Sequence, residues 1–194
     1  RLSLLAMLCA DEYPDLDMDK VVRMCIIHDL GEAITGDVPS FEKTETNEMT
    51  EREAWDQLIC MLPEPYAGEF AALYAEMEAR QTPEARLYKA LDNMEAVISH
   101  NEASLDTWIP LEYELNLTYG EETAAWSPYT QALRAYLAAQ TKQKIQNSEV
   151  EHATQNGSFF ANPHHGWILE AEAGTCAARD HKSRIRPLCR YRQN

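Results

Sequence analysis

Asp17-Met18-Asp19-Lys20-Val21-Val22-Arg23-Met24-Cys25-Ile26-Ile27-His28-Asp29-Leu30-Gly31-Glu32-Ala33-Ile34-Thr35-Gly36-Asp37 is the stretch on which the reading turns. Asp17 is an N-cap residue, and Asp19 sits favourably in the first turn that follows it. Met18, Val21, Val22, Cys25 and Ile26 then recur at helical spacing, so the segment predicts an amphipathic helix ending in the turn Gly36-Asp37-Val38-Pro39. On a continuing helix, Val22, Cys25, Ile26, Asp29 and Ala33 share one face, and Val21, Cys25, His28 and Glu32 form the neighbouring row. His28, Asp29 and Glu32 therefore stand at the end of an apolar stripe. An ionised carboxylate buried there without a partner costs several kcal/mol, a large share of a domain's stability. A divalent cation, taking imidazole nitrogen and carboxylate oxygen together, would compensate two of them.

Working outward, the rest of the chain also reads as helix. Residues 1–11 look like the latter part of an amphipathic helix, so the sequence is expected to start inside an element. A polar, acidic stretch leads into a helix near 48–61, stopped by Pro63 and Pro65, and another runs from about 66 to 80. Thr82-Pro83 is an N-cap followed by proline at the first helical position, opening a helix to about His100; Ser127-Pro128 repeats the device and opens a last helix to about Lys144. No alternating strand pattern is evident. The expected fold class is all-α.

The helix after Thr82 carries Leu87, Leu91, Met94 and Ile98 as its apolar stripe, with Asp92 on the flank in a row with Ala85, Tyr88 and Ala96. A carboxylate among small side chains there could reach the pocket of His28 and Asp29. From the residues alone this amounts to one imidazole and two carboxylates, on two helices, poised for a metal.

Those residues carry a resemblance. His28-Asp29 followed by a distant helical Asp92 resembles the HD superfamily of metal-dependent phosphohydrolases. The finer pattern His-Asp-x-x-Glu-x-x-x-Gly-Asp-x-Pro, met by His28, Asp29, Glu32, Gly36, Asp37 and Pro39, is similar to the 5'-deoxynucleotidase branch, and the similarity extends through Lys89-Ala90-Leu91-Asp92 over roughly residues 1 to 140. The resemblance implies an HD-type helical bundle around a metal site. His28, Asp29 and Asp92 would hold the metal, Glu32 would orient water or move a proton, and Asp37 would contact the substrate or position the phosphate-side network. It also implies a divalent cofactor (manganese, cobalt, magnesium or zinc), a small nucleotide substrate and a homodimer. The family's ligand set begins with a further His on the opening helix. This sequence has no His before His28, so that ligand is expected to be lost with a missing start. Lys43, Arg86 and Lys89 are candidate partners for phosphate charge. The alternatives are hydrolysis of another nucleotide phosphate ester, or an inactive module of this type used for binding or dimerisation.

Each residue also has a plainer reading. His28 fits a core histidine with one hydrogen bond, Glu32 a solvated helix residue, Asp37 an ordinary turn acid, and Asp92 an i−3 partner of Lys89. His100 suits the end of a helix dipole. Trp55, Trp108, Trp126, Tyr113 and Tyr119 suit a core, and His164-His165 an incidental pair.

The bulk numbers agree. The 194 residues suffice for one domain with a sizeable core, and 45% of them are hydrophobic with only 7 Gly, which excludes disordered and fibrous classes. A formal charge of −15 argues against nucleic-acid or anionic-membrane partners, which need a basic surface. No apolar run approaches the ~20 residues that cross a bilayer. The 5 cysteines are scattered without a Cys-x-x-Cys pair, which suits free thiols in a cytoplasmic protein. Acidic residues outnumber basic ones more than twofold up to Ile145, whereas beyond it the two are nearly balanced. Residues 1–145 are therefore expected to form the domain, and 146–194 a poorly ordered or foreign tail.

Overall fold

Thr82 and Pro83 open the helix around which the others are arranged. A computed structural model describes residues 1–38 and 42–157 of the chain. The Thr82 hydroxyl accepts from the Ala85 N–H, and Pro83 occupies the first helical position, where its missing N–H costs nothing. Helix α6 then runs over Pro83–Glu102. Ala85, Leu87, Ala90, Leu91, Met94 and Val97 are wholly inaccessible, so α6 is buried on more than one side. Full burial of a side chain such as Leu91 contributes about 1.5–3 kcal/mol.

Around α6 lie α1 (Leu2–Leu8), α2 (Met18–Ile27), α5 (Tyr66–Ala79), α8 (Glu121–Ala124) and α9 (Pro128–Gly157), all of which touch it. Helices α3 (Glu32–Thr35) and α4 (Glu45–Cys60) pack on each other, and α7 (Pro110–Thr118) lies against α9. The described residues contain no strand, as the all-α reading expects. None of their helices is long and apolar enough to cross a membrane.

Several boundaries differ from the sequence expectation. Helix α4 begins earlier than residue 48, because Thr44 and Asn47 cap it reciprocally. Helix α7 starts at a proline but has no Ser or Thr cap. Glu112 instead accepts the Ile109 N–H at 2.8 Å from within the helix. Helix α9 continues past Lys144 to Gly157. The rest of the expected tail, with Cys176, Cys189 and His164-His165, lies outside the described residues. The largest correction concerns the opening stretch. The long helix expected there stops at Ile27, the chain turns through 28–31, and α3 follows as a separate short helix. Val21, Met24, Cys25 and Ile27 form the buried face of α2, while Ile26 is 63% exposed.

Ion pairs of Lys20 tie α2 to α5 through Glu76 and to the start of α6 through Glu84. Lys20 Nζ lies 2.9 Å from Glu76, whose other partner is the Thr82 hydroxyl. Burial pushes the Glu76 carboxyl up, but the Thr82 hydrogen bond and the Lys20 ammonium outweigh it and hold the pKa below the ordinary value. A folded-state pKa below the unfolded one stabilises above the unfolded pKa, and the gain is lost as pH falls through the folded value. Glu76→Gln is therefore expected to lower the melting temperature at pH 7. The difference from the unmodified chain should shrink as pH falls below the ordinary carboxyl range and through the lowered folded-state value, read in a pH series of thermal melts.

Candidate active site

His28 keeps helical dihedrals (φ −55°, ψ −38°) although α2 has ended, and its Nδ1 faces the Cys25 carbonyl at 2.9 Å. Nδ1 must donate there, so Nε2 presents a lone pair unless it too is protonated. It meets two carboxylates: Asp29 Oδ2 at 2.8 Å and Asp92 Oδ1 at 3.5 Å. The second oxygen of Asp92 takes the Lys89 ammonium at 2.7 Å. The packing of α2 on α6 thus brings the adjacent pair His28-Asp29 to Asp92, which the sequence places far away. The plainer reading of Asp92 as a partner of Lys89 holds as well, because its two oxygens point in different directions.

Three electron-rich atoms converging this way need a positive charge between them. Burial drives the imidazole toward its neutral form. The Asp29 hydrogen bond and the charges of Asp29 and Asp92 overcome this and raise the His28 pKa above the usual value. A proton on Nε2 satisfies the cluster, and the donor chemistry is equally that of a divalent cation. As drawn together, however, the side chains close on one another. Among the described residues, no group of three or more His, Cys, Asp or Glu side chains stands in an arrangement ready to hold a metal ion. The donors fit a divalent metal in chemical type, one imidazole nitrogen and two carboxylates.

The burial argument for Asp29 needs correcting. Its side chain is 57% exposed, against 18% for His28. Because α2 stops at Ile27, Asp29 falls in the turn and not on the buried face.

Glu32, Asp37, His28, Asp29 and Asp92 all line a single cavity of about 760 Å³. Glu32, at the first position of α3, is mostly buried and has Lys43 Nζ 3.5 Å away; Lys43 also binds Glu51 of α4 at 2.9 Å. Burial and the negative charges of Asp29 and Asp37 raise the Glu32 pKa, with Lys43 offsetting part of the rise. Asp37 is exposed on the cavity rim, just after Gly36, whose φ of +79° turns the chain out of α3. Pro39, the last residue of the sequence pattern, lies outside the described residues.

Gly31 lets these parts approach. A Cβ there would stand 2.9 Å from the Glu51 carbonyl oxygen, closer than packing allows. Gly31→Ala is expected to cost about 1–3 kcal/mol, the range for overpacking, read as a lower melting temperature. An unchanged melt would show that α3 and α4 can separate freely.

Residues 1–134 match the family model described as "HD domain". The chain belongs to the HD domain family. Its relatives include 5'-deoxynucleotidase HDDC2 of Bos taurus, 33% identical over 104 residues, covering 53% of this chain and 50% of that protein. HDDC2 of Homo sapiens is 32% identical over the same length and the same shares. 5'-deoxynucleotidase hdd1 of Schizosaccharomyces pombe is 30% identical over 103 residues, covering 50% of this chain and 51% of its own. The chain spans about half the length of these curated relatives. A crystal structure of a predicted metal-dependent phosphohydrolase from Magnetospirillum magnetotacticum MS-1 superposes with a TM-score of 0.61 at 29% identity, covering 76% of this chain and 74% of that one.

Other expectations sort themselves within this HD domain. Lys43 and Lys89 line the cavity, each already paired with carboxylates. Arg86 does not line it, and its Nε donates to the Arg80 carbonyl. His100 is more than a dipole partner: it lines the far end of the cavity, with Nδ1 on the Ala96 carbonyl and Nε2 3.0 Å from Glu112. Trp55 belongs to the core and also lines the cavity. Tyr88 was legible only as a neighbour of Asp92 in the α6 row. In the structure its ring meets the His28 imidazole edge-on, with centroids 6.1 Å apart.

Proposed function

We propose that this HD domain is the catalytic body of a metal-dependent phosphomonoesterase that releases phosphate from (deoxy)ribonucleoside 5'-monophosphates. The observation that carries the reading is His28 Nε2 held between Asp29 and Asp92 inside a cavity also lined by Glu32. The names of the deoxynucleotidase relatives support the substrate class, and that of the structural neighbour supports the metal.

His28, Asp29 and Asp92 would hold a divalent cation, of which manganese, cobalt, magnesium and zinc all suit imidazole and carboxylate. Such a cation, when bound, polarises a phosphoryl oxygen and acidifies water. The remaining chemistry belongs to the chain. The Cys25 carbonyl fixes the His28 ring by engaging Nδ1, so that Nε2 is the atom offered. Glu32, on the next turn of chain, is the proton acceptor for the attacking water, and Lys43 holds its carboxylate in place. Asp37 on the rim contacts the substrate or positions the network on its phosphate side.

Bound metal and phosphate release from a panel of nucleoside monophosphates test the proposal together. The expected result is metal-dependent release from 5'-monophosphates, abolished by a chelator and restored by adding metal. Chelator-insensitive release would overturn the metal assignment. Absence of both metal binding and turnover would favour a binding module.

A further inference from the structure

Tyr88 lies one turn before Asp92 on α6, so the two side chains rise from the same face of the helix. It is 8% exposed, and it lines the cavity. Its ring packs against the edge of His28. A tyrosine this deeply placed ordinarily gives its hydroxyl a partner. The charges of Asp92 and Asp29 reach it, and both acids already face His28, Asp92 holding Lys89 as well. Among the described residues the Tyr88 hydroxyl takes no protein partner, and it is not one of the side-chain atoms sealed from solvent, so it faces the open cavity that Tyr88 lines.

The cations that line the cavity differ from it in kind. Lys89 is held by Asp92, Lys43 by Glu51 and Glu32, and Arg52 by Glu78, while the charge of Arg80 reaches Tyr88 itself. An ammonium beside acids is captured by them. A neutral phenol is not, and it can donate to a ligand oxygen without adding charge to the cluster.

We propose that Tyr88 is a substrate-binding residue whose hydroxyl donates to a phosphoryl oxygen of the phosphomonoester seated beside His28, Asp29 and Asp92. This rests on the phosphatase reading for the identity of the ligand. It goes beyond that reading in assigning an uncharged donor on α6 to the phosphate.

Tyr88→Phe tests it, because the substitution keeps the ring and its packing and removes only the donor. The full chain is loaded with manganese and titrated with inorganic phosphate by calorimetry, with manganese affinity and the thermal melt measured alongside. Phosphate binding is expected to weaken about tenfold, the scale of one hydrogen bond to a charged acceptor. Manganese affinity and melting temperature are expected to stay unchanged. Unaltered phosphate affinity overturns the assignment. So does a parallel loss of manganese affinity, which would show Tyr88 acting through the His28 ring. Loss confined to nucleoside monophosphates, with inorganic phosphate unaffected, would place the hydroxyl on sugar or base and overturn it too. Failure of the unmodified chain to bind phosphate does the same. Because the readout is binding, a chain that binds phosphate without hydrolysing any nucleotide still tests Tyr88, while contradicting the phosphatase reading.

Discussion

Asp92→Asn is expected to abolish phosphate release, by roughly three orders of magnitude or more, and to weaken metal binding with little change in stability. Asp92 serves two groups at once. One oxygen faces His28 Nε2 at 3.5 Å and the other holds Lys89 at 2.7 Å. Asparagine keeps the shape but replaces one oxygen by an NH₂ and removes the charge, so it offers the cation a single neutral donor. The ammonium of Lys89, left without its counter-charge, then repels a dication. The ion pair itself is partly solvated, and an i,i+3 pair on a helix contributes only a few tenths of a kcal/mol, so the fold should tolerate its loss. Metal titration and a thermal melt of the same sample separate the two effects. Turnover close to that of the unmodified chain would remove Asp92 from the ligand set.

Glu32→Gln should behave differently. Turnover falls roughly 10²–10⁴-fold, the range for general acid–base groups, while metal affinity is retained. The melting temperature should stay level or rise. Glu32 sits in a mostly buried position near Asp29 and Asp37, and its pKa is raised above the ordinary carboxyl value. For an acid, a raised folded-state pKa means that the ionised form is disfavoured in the fold. At neutral pH the carboxylate therefore subtracts from stability, and removing its charge relieves that cost even though Lys43 loses one of two partners. An active site that is strained for function shows this pattern, with activity and stability moving in opposite directions. A Glu32→Gln chain that loses stability and keeps its turnover would make Glu32 a structural partner of Lys43 and nothing more.

Much of this could be read from local chemistry. Caps and first-turn prolines are short-range devices, so Asp17, Thr82-Pro83 and Ser127-Pro128 announced α2, α6 and α9 close to where they begin. The α6 stripe was legible because Leu87, Leu91 and Met94 repeat at helical spacing, and they are wholly buried. Helix α7 escaped notice because its cap comes from Glu112, inside the helix, and Ile109 before it carries no capping side chain. Periodicity extended α2 through Glu32, since nothing in those residues forbids a helix. The break at Ile27 accompanies the close approach of Gly31 to the Glu51 carbonyl, a residue of another helix.

The sequence by itself determined the helical class, the pair His28-Asp29 and the distant Asp92 as the chemically notable groups, because residue type and helical repeat are local properties. Only the tertiary structure decided that α2 and α6 pack so that these three converge. It also decided that Asp29 stands in the open while Glu32 turns inward, that Lys43 reaches back to Glu32, and that the Tyr88 hydroxyl finds no partner. Convergence and exposure are set by which helix faces which, and that choice is made by burying apolar surface summed over the whole core, not by any single stretch of chain.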